Sequence, residues 1–271
     1  MAADCSVPAG FTAVECKEFR GIVRSDFKEE FDRLAAAVAL RQFPYTRLIK
    51  DRPKIAAGIA GDSFLKYYKP RGWFYALRHR FLLPRPLISL AGALCLKANN
   101  IPTPEVRAAI IYQKYGLPDG ALLITDSLTE EDLQCDHLVE EFAGAGNYSA
   151  VVSGFADLLC RMHACGFRHG DLNLRNLYCR RGENSFNHWG VIDLDACSVS
   201  EKPLSEKART LDLARLIAGI RLCAVGKQIA MPESMTADFV QKYHEFSGID
   251  LSGSFLEKRI AYHVERIRRN H

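Results

Sequence analysis

Residues 169–176 read His-Gly-Asp-Leu-Asn-Leu-Arg-Asn, and the short apolar run Trp189–Ile192 ends at Asp193. Asp171, Asn176 five residues later, and Asp193 are the three oxygen-bearing side chains that phosphoryl transfer requires. That transfer has a largely dissociative transition state, so orienting the attacking hydroxyl matters more than strong basicity. A carboxylate such as Asp171 is sufficient to take the hydroxyl's proton. Asn176 offers a neutral carbonyl oxygen and Asp193 a carboxylate, both suited to Mg2+, a hard cation that prefers oxygen ligands. Each residue is common alone, and His-Gly-Asp is also an ordinary turn with a capping Asp. The reading rests on the three together, in this order and at this spacing.

Around these three stand supporting candidates. Asn173 follows Asp171 by two positions and can hold it or reach the transferred phosphate, while His169 reads as a structural hydrogen-bonding residue of the loop. Asp195 either assists metal or substrate binding or caps the next turn. Lys66 lies between large apolar residues in Phe64-Leu65-Lys66-Tyr67-Tyr68 and can reach the α- and β-phosphates of ATP, with Lys69 as a competitor. Leu123–Leu128 can supply backbone groups to adenine, and Asp126 and Asp132 are candidates for the ribose. Asp212 is expected to brace the loop by accepting backbone hydrogens, its plain alternative being a helix N-terminal carboxylate.

Hydrophobic periodicity outlines the elements that must position these groups. Phe27, Phe31, Leu34, Ala35 and Val38 recur at helical spacing and predict a helix within 27–40. Strands are expected at Tyr45–Ile49, Ile55–Ala60 and Ser63–Tyr68, with turns at Asp51-Arg52-Pro53 and Gly61-Asp62. A helix over Ile88–Ala98 stops at Asn99-Asn100, after which Ile101-Pro102-Thr103-Pro104 must be extended. Two further strands, Glu105–Tyr112 and Ala121–Asp126, are joined through residues 116–120. Helices follow at Ser149–Cys165 and at about 206–223, 234–246 and 254–269. The expectation is an α+β, protein-kinase-like fold: one domain over 1–271, with a small strand-rich N-lobe (about 1–126), a short connector and a mainly helical C-lobe (about 127–271). The motifs then fall in loops facing an interlobe cleft.

Composition narrows the partners. The hydrophobic content of 48% and charged content of 25% are ordinary for a globular chain. A net charge of +4 suits an anionic substrate or membrane surface and is too small to argue for nucleic acid, which also lacks a supporting fold motif. Nine cysteines without a Cys-x-x-Cys pair fit a reducing cytoplasm better than a disulfide framework or a zinc site. No secretory signal and no membrane-spanning run are expected. Residues 69–81, Lys-Pro-Arg-Gly-Trp-Phe-Tyr-Ala-Leu-Arg-His-Arg-Phe, interleave cations with aromatics. Such a segment can lie at an anionic membrane surface, or form a solvated basic face whose aromatics pack inward.

Four stretches resemble the lipopolysaccharide core kinases, the Kdo and heptose kinases of Gram-negative bacteria. They are Phe64–Tyr68 with its trailing basic-aromatic segment, Asn100-Ile101-Pro102-Thr103-Pro104, His169-x-Asp171-Leu172-Asn173-x-x-Asn176, and Ile192-Asp193-Leu194-Asp195. The resemblance covers roughly Tyr45 to Gly219, and the Asp-Leu-Asn-x-x-Asn form is closer to the Kdo-kinase-like branch. It implies ATP and Mg2+ as cofactors, a sugar hydroxyl of the lipid A–core glycolipid as acceptor, and work at the cytoplasmic face of the inner membrane. Lys66, Asp171, Asn176 and Asp193 carry over. Asn173 stands where protein kinases usually carry Lys, and Asp195 replaces the glycine of their Asp-Phe-Gly motif. There is no Gly-x-Gly-x-x-Gly loop, and Ile88–Ala98 offers Ser89 and Gly92 but no glutamate to pair with Lys66. The alternatives are a soluble small-molecule kinase of the aminoglycoside or choline type, which the basic 69–85 stretch disfavours, and a nucleotide-binding pseudokinase.

Overall fold

The computed structural model describes residues 7–72, 82–136, 148–181, 186–251 and 253–269, together with Leu77. The chain forms two compact units, Met1–Leu90 with Pro104–Leu128, and Ala91–Thr103 with Thr129–His271.

The first unit is built on an antiparallel sheet of seven strands. They are β1 (Phe11–Glu15), β2 (Phe19–Arg24), β3 (Arg47–Arg52), β4 (Ile55–Ala60), β5 (Ser63–Tyr68), β6 (Val106–Lys114) and β7 (Leu117–Asp126), in the order β1-β2-β6-β7-β5-β4-β3. Alternation along the strands gives the sheet two distinct faces. Leu65, Tyr67, Ile110, Tyr112, Leu122 and Ile124 pack with Phe31 and Val38 of helix α1 (Lys28–Leu40) and with Phe27 just before it. Tyr112 closes this core polarly by donating its hydroxyl to the Val38 carbonyl at 2.7 Å. The opposite face carries Lys66, which lies in register with Ala57 on one side and Leu123 on the other, Leu123 in turn facing Ala109.

Sequence periodicity marks neither β1 nor β2, and other strands shift from their expected bounds. Of β1 and β2 only Phe19 and Val23 are buried, too few to mark an alternating pattern. The first expected strand begins later and runs on to Arg52, because β3 is exposed throughout and its bulge between Leu48 and Lys50 blurs its period. Of the connector expected over 116–120, residues 117–120 are strand. Tyr115 (φ 53°) and Gly116 (φ 74°) form a two-residue turn of the left-handed kind that hairpins favour. Pro118 then falls opposite Gln113 where the register shifts. The Gly61-Asp62 hairpin is present as expected, with Gly61 supplying the positive φ.

Helix α2 (Arg85–Ala98) starts a turn earlier than expected and ends where Asn100 takes a left-handed conformation (φ 54°). The second unit then follows with β8 (Asp132–Gln134), α3 (Tyr148–Ala164), β9 (Phe167–Arg168), β10 (Leu177–Arg181), β11 (Phe186–Val191), β12 (Ser198–Val199), α4 (Glu206–Gly226), α5 (Met235–Ser247) and α6 (Ser254–Arg268). The strands form a three-stranded sheet β11-β10-β8 and a two-stranded pair β12-β9. The ring of Phe155 of α3 lies tilted 4.8 Å from Trp189 of β11 and stacks at 6.3 Å on Phe239 of α5. Gly154 permits this approach, since a Cβ there would lie 2.2 Å from the Trp189 Nε1. Helix α4 is buried on most of its circumference, including Arg209, Thr210 and Asp212.

Most of the aromatic and cationic stretch 69–81 lies outside the described residues. Among the described residues no helix is long and apolar enough to cross a membrane.

Candidate active site

The loop from His169 to Asn176 is anchored from below by α4. Asp212, whose side chain is 1% exposed, accepts the backbone amides of His169 at 2.8 Å and Gly170 at 3.2 Å. Burial opposes its ionisation, but the neighbouring His163 and the loop amides outweigh that and hold its carboxyl below the ordinary value. Behind it runs a buried polar chain. Arg209 donates to the Tyr243 hydroxyl at 2.8 Å, and Tyr243 Oη lies 2.8 Å from His163 Nδ1. With its oxygen taken by Arg209, the tyrosine donates to Nδ1, so His163 keeps its proton on Nε2, facing Asp212 Oδ2 at 3.7 Å. Burial lowers the pKa of His163, so the ring is neutral at physiological pH.

His169 ties the loop to the strand that precedes Asp193. Its ring is fully buried; Nδ1 accepts from the Asp171 amide at 3.4 Å, which leaves Nε2 to donate to the Ile192 carbonyl at 3.0 Å. Both ring nitrogens are therefore engaged structurally. Gly170 is required by two independent facts. Its φ is +75°, and a Cβ would lie 2.3 Å from the Ala196 carbonyl oxygen. Gly170→Ala is expected to lower stability by about 3 kcal/mol, read as a shifted urea midpoint at unchanged slope.

The anchoring leaves Asp171 exposed, with 58% of its side chain accessible. Its carbonyl, rather than its carboxylate, is what the two asparagines hold: Asn176 Nδ2 donates to it at 2.8 Å and Asn173 Nδ2 at 3.1 Å. Asn173 Oδ1 also accepts from the Arg175 amide at 3.0 Å and so caps the short 3-10 turn Leu174–Asn176. Asn173 thus holds the loop backbone with both ends of its amide. Asn176 uses its nitrogen on the loop, which leaves its oxygen as the atom a metal would need.

Asp193 adopts a left-handed conformation (φ 61°, ψ 59°) at the head of the 3-10 turn Leu194–Ala196, and its side chain is exposed. Asn176 and the loop after β11 are joined directly, the Asn176 carbonyl accepting the Ile192 amide at 2.9 Å. An amide oxygen and a carboxylate on adjoining backbone are candidates for Mg2+, which uses one or two protein groups and completes its shell with phosphates and water. Among the described residues no group of three or more His, Cys, Asp or Glu side chains forms a self-sufficient metal cage.

Two residues that no sequence motif marks complete the local picture. Arg215, one helical turn beyond Asp212 on α4, places Nη1 3.2 Å from Asp171 Oδ1 and also donates to the Gly170 carbonyl. Its only signal in the sequence is its spacing from Asp212. Gly92 of α2 sits against the segment following Asp193, where a Cβ would lie 2.5 Å from the Cys197 Sγ. This position is used for close packing, and α2 carries no acidic residue.

In the first unit, Lys66 is half-buried on β5, its Nζ 5.6 Å from the Tyr68 ring centroid. Asp126 accepts Arg107 Nε at 2.5 Å, and Arg107 also forks onto Asp62 at 2.6 and 2.8 Å. Gly58 of β4 is a packing residue, with the Arg47 carbonyl oxygen and the Tyr45 ring each 2.6 Å from where its Cβ would be. Asp132 is engaged by Thr129 at 2.9 Å and by Arg180 at 3.1 Å, a structural use that fills both its oxygens.

Comparison with known proteins agrees with this chemistry. No curated protein sequence matches the chain. Among solved structures, it is similar to one of WaaP in complex with acyl carrier protein, at 15% identity and a TM-score of 0.62 over 91% of this chain and 98% of that one. It is also similar to a glucosamine kinase in complex with glucosamine, ADP and inorganic phosphate, at 13% identity and a TM-score of 0.54 over 97% and 87%. Likeness at such identities establishes the fold, an α+β, protein-kinase-like one. The sequence profile of a lipopolysaccharide kinase family matches residues 65–243, from the strand of Lys66 through the loop of Asp171 to α5. The enzyme is accordingly a phosphotransferase with an alcohol group as acceptor, and the chain belongs to the lipopolysaccharide kinase (Kdo/WaaP) family.

Proposed function

We propose that the protein is an ATP- and Mg2+-dependent kinase that phosphorylates a sugar hydroxyl, of Kdo or heptose, in the lipopolysaccharide inner core. The observation that carries this reading is the loop clamped by Asp212, which presents an exposed Asp171 while Asn176 stays bonded to the Asp171 carbonyl. Asp171 accepts the proton of the attacking hydroxyl as its oxygen bonds to the γ-phosphorus; the bond from that phosphorus to the bridging oxygen breaks, and ADP leaves. Asn176 and Asp193 would hold Mg2+, which when bound offsets charge on the phosphate oxygens. Asn173 positions the loop. Lys66 takes the α- and β-phosphates from the face of the sheet that it shares with Ala57. Asp126 can reach a ribose only in competition with Arg107.

Because the acceptor is a glycolipid, the enzyme works peripherally at the cytoplasmic face of the inner membrane, with residues 69–81 at the lipid headgroups. Purified protein is to be assayed with ATP and Mg2+ on core-truncated lipopolysaccharide and on small amino-sugars, with and without acyl carrier protein, the partner in the WaaP structure. Phosphate appearing on lipopolysaccharide, and lost in Asp171→Ala, supports the proposal. Transfer to amino-sugars alone would replace it with the small-molecule reading, and nucleotide binding without transfer to any acceptor would sink it.

Lys66→Met is expected to raise the KM for ATP about tenfold or more, through loss of a charge-assisted phosphate contact. Thermal stability should change little, since Lys66 lies on the face opposite the main core of the sheet. An unchanged ATP KM would remove Lys66 from the site.

A further inference from the structure

Helix α4 meets the catalytic loop along a single stripe. Asp212, Arg215 and Gly219 stand at i, i+3 and i+7, so all three share one helix face. Each serves a different part of the loop. Asp212 holds the backbone amides of His169 and Gly170. Gly219 meets Asn173, where a Cβ on the glycine would lie 3.6 Å from the Asn173 Cβ. Between them, Arg215 reaches both backbone and side chain at the centre of the loop. One nitrogen, Nη1, donates to the Gly170 carbonyl and lies 3.2 Å from Asp171 Oδ1. The arginine side chain is 19% exposed and the aspartate 58%, so a shielded cation holds a carboxylate open to solvent. Among the described residues Asp171 Oδ2 has no hydrogen-bond partner. An ion pair at such exposure contributes little to stability. Its consequence is aim: a carboxylate bonded to a fixed post keeps one of the several rotamers that a free aspartate samples.

We propose that Arg215 is a positioning residue for the base: it fixes Asp171 through Oδ1 and leaves Oδ2 to take the proton of the acceptor hydroxyl. The inference rests on the kinase reading above and adds which carboxylate oxygen acts and what aims it. As the hydroxyl oxygen bonds to the γ-phosphorus, its proton passes to Oδ2. The bond from that phosphorus to the bridging oxygen breaks, and ADP leaves. Arg215 keeps its own protons throughout, because a guanidinium stays charged in proteins. By serving Gly170 and Asp171 together, it couples the side chain of the base to the peptide that Asp212 anchors. Phosphoryl transfer asks for orientation more than basicity, and orientation is what such a bond supplies.

The test is phosphate transfer by the full-length protein with ATP, Mg2+ and core-truncated lipopolysaccharide, measured for wild type, Arg215→Ala, Asp171→Asn and the double variant. Arg215→Ala is expected to lower kcat about a hundredfold, the cost of misplacing a reacting group by about an ångström. The KM for ATP should stay within about twofold of wild type, since the loss falls on the chemical step. Because Arg215 acts through Asp171, adding Arg215→Ala to Asp171→Asn should lower kcat by less than about threefold further. If Arg215→Ala melts too low to assay, Arg215→Gln keeps a donor for the Gly170 carbonyl, loses the charge and carries the same expectations. A similar loss in both backgrounds would make Arg215 a support of the loop and overturn its role toward the base. Wild-type kcat in a folded Arg215 variant would overturn it as well, while leaving the kinase reading intact. Wild-type protein that transfers phosphate to no acceptor would instead defeat the kinase reading, and the positioning role with it.

Discussion

Asp171→Asn is expected to lower kcat for phosphate transfer about a thousandfold, or ~4 kcal/mol of transition-state stabilisation, while the KM for ATP stays near its wild-type value. The substitution isolates the carboxylate's role because the loop does not depend on it. Asn173 and Asn176 bind the Asp171 backbone carbonyl, and His169 receives its backbone amide. An asparagine preserves all three bonds and the side-chain volume. What it removes is the ability to take a proton, and the ion pair with Arg215. That pair is exposed on the aspartate side, so its loss costs ~1 kcal/mol of stability or less, and a thermal melt should show a shift of only a few degrees. A melt far below wild type would mean that the activity loss reports unfolding. A kcat within tenfold of wild type in a folded variant would remove Asp171 as the base.

What the sequence disclosed about this site follows from what the chemistry demands of the chain. The candidate trio Asp171, Asn176 and Asp193 can be picked out because the proposed base and two oxygen ligands must be particular residue types on closely linked loops, and such spacing survives any change of surroundings. Asp212 is legible for a related reason: an acid in the helix after the loop can reach the loop amides, and those two bonds are what the structure shows. Arg215 is different. Arginine on a helix is usually a solvated residue, and only the fold places its Nη1 3.2 Å from Asp171 Oδ1. The Arg209–Tyr243–His163 chain was equally hidden, since its members come from three helices and no local pattern links them. In the sheet, β4 and β5 were legible at both ends because one face of each is buried and their turn carries Gly61. The β6–β7 turn was misplaced because Pro118 and Gly120 advertise a loop more strongly than Tyr115-Gly116 does. Gly92 shows the same limit from the other side. Its missing side chain reads as a lost glutamate until the Cys197 sulfur is found where a Cβ would be.

Asp212→Ala should be the most damaging change to the fold of the site. Its carboxylate takes two loop amides in a buried setting, so truncation leaves the His169 and Gly170 N–H groups without partners, at roughly 1–3 kcal/mol each. With the support for His163 also lost, a total of about 3–5 kcal/mol is expected, which for a chain of this size lowers Tm by roughly 10 °C. Activity should fall at least a hundredfold even well below the new Tm, because Asp171 is then aimed by a loop without its anchor. The pH dependence separates this role from a general loss of packing. The folded-state pKa of Asp212 lies below its ordinary value of 3.8. Its stabilising contribution is therefore complete above that ordinary value and is lost as the pH falls through the lowered one. The stability gap between wild type and Asp212→Ala should accordingly be constant from neutral pH down to about 5 and close as acid is added beyond it. A gap that persists unchanged at pH ~2, in a variant that still folds, would show that Asp212 acts through its volume rather than its charge.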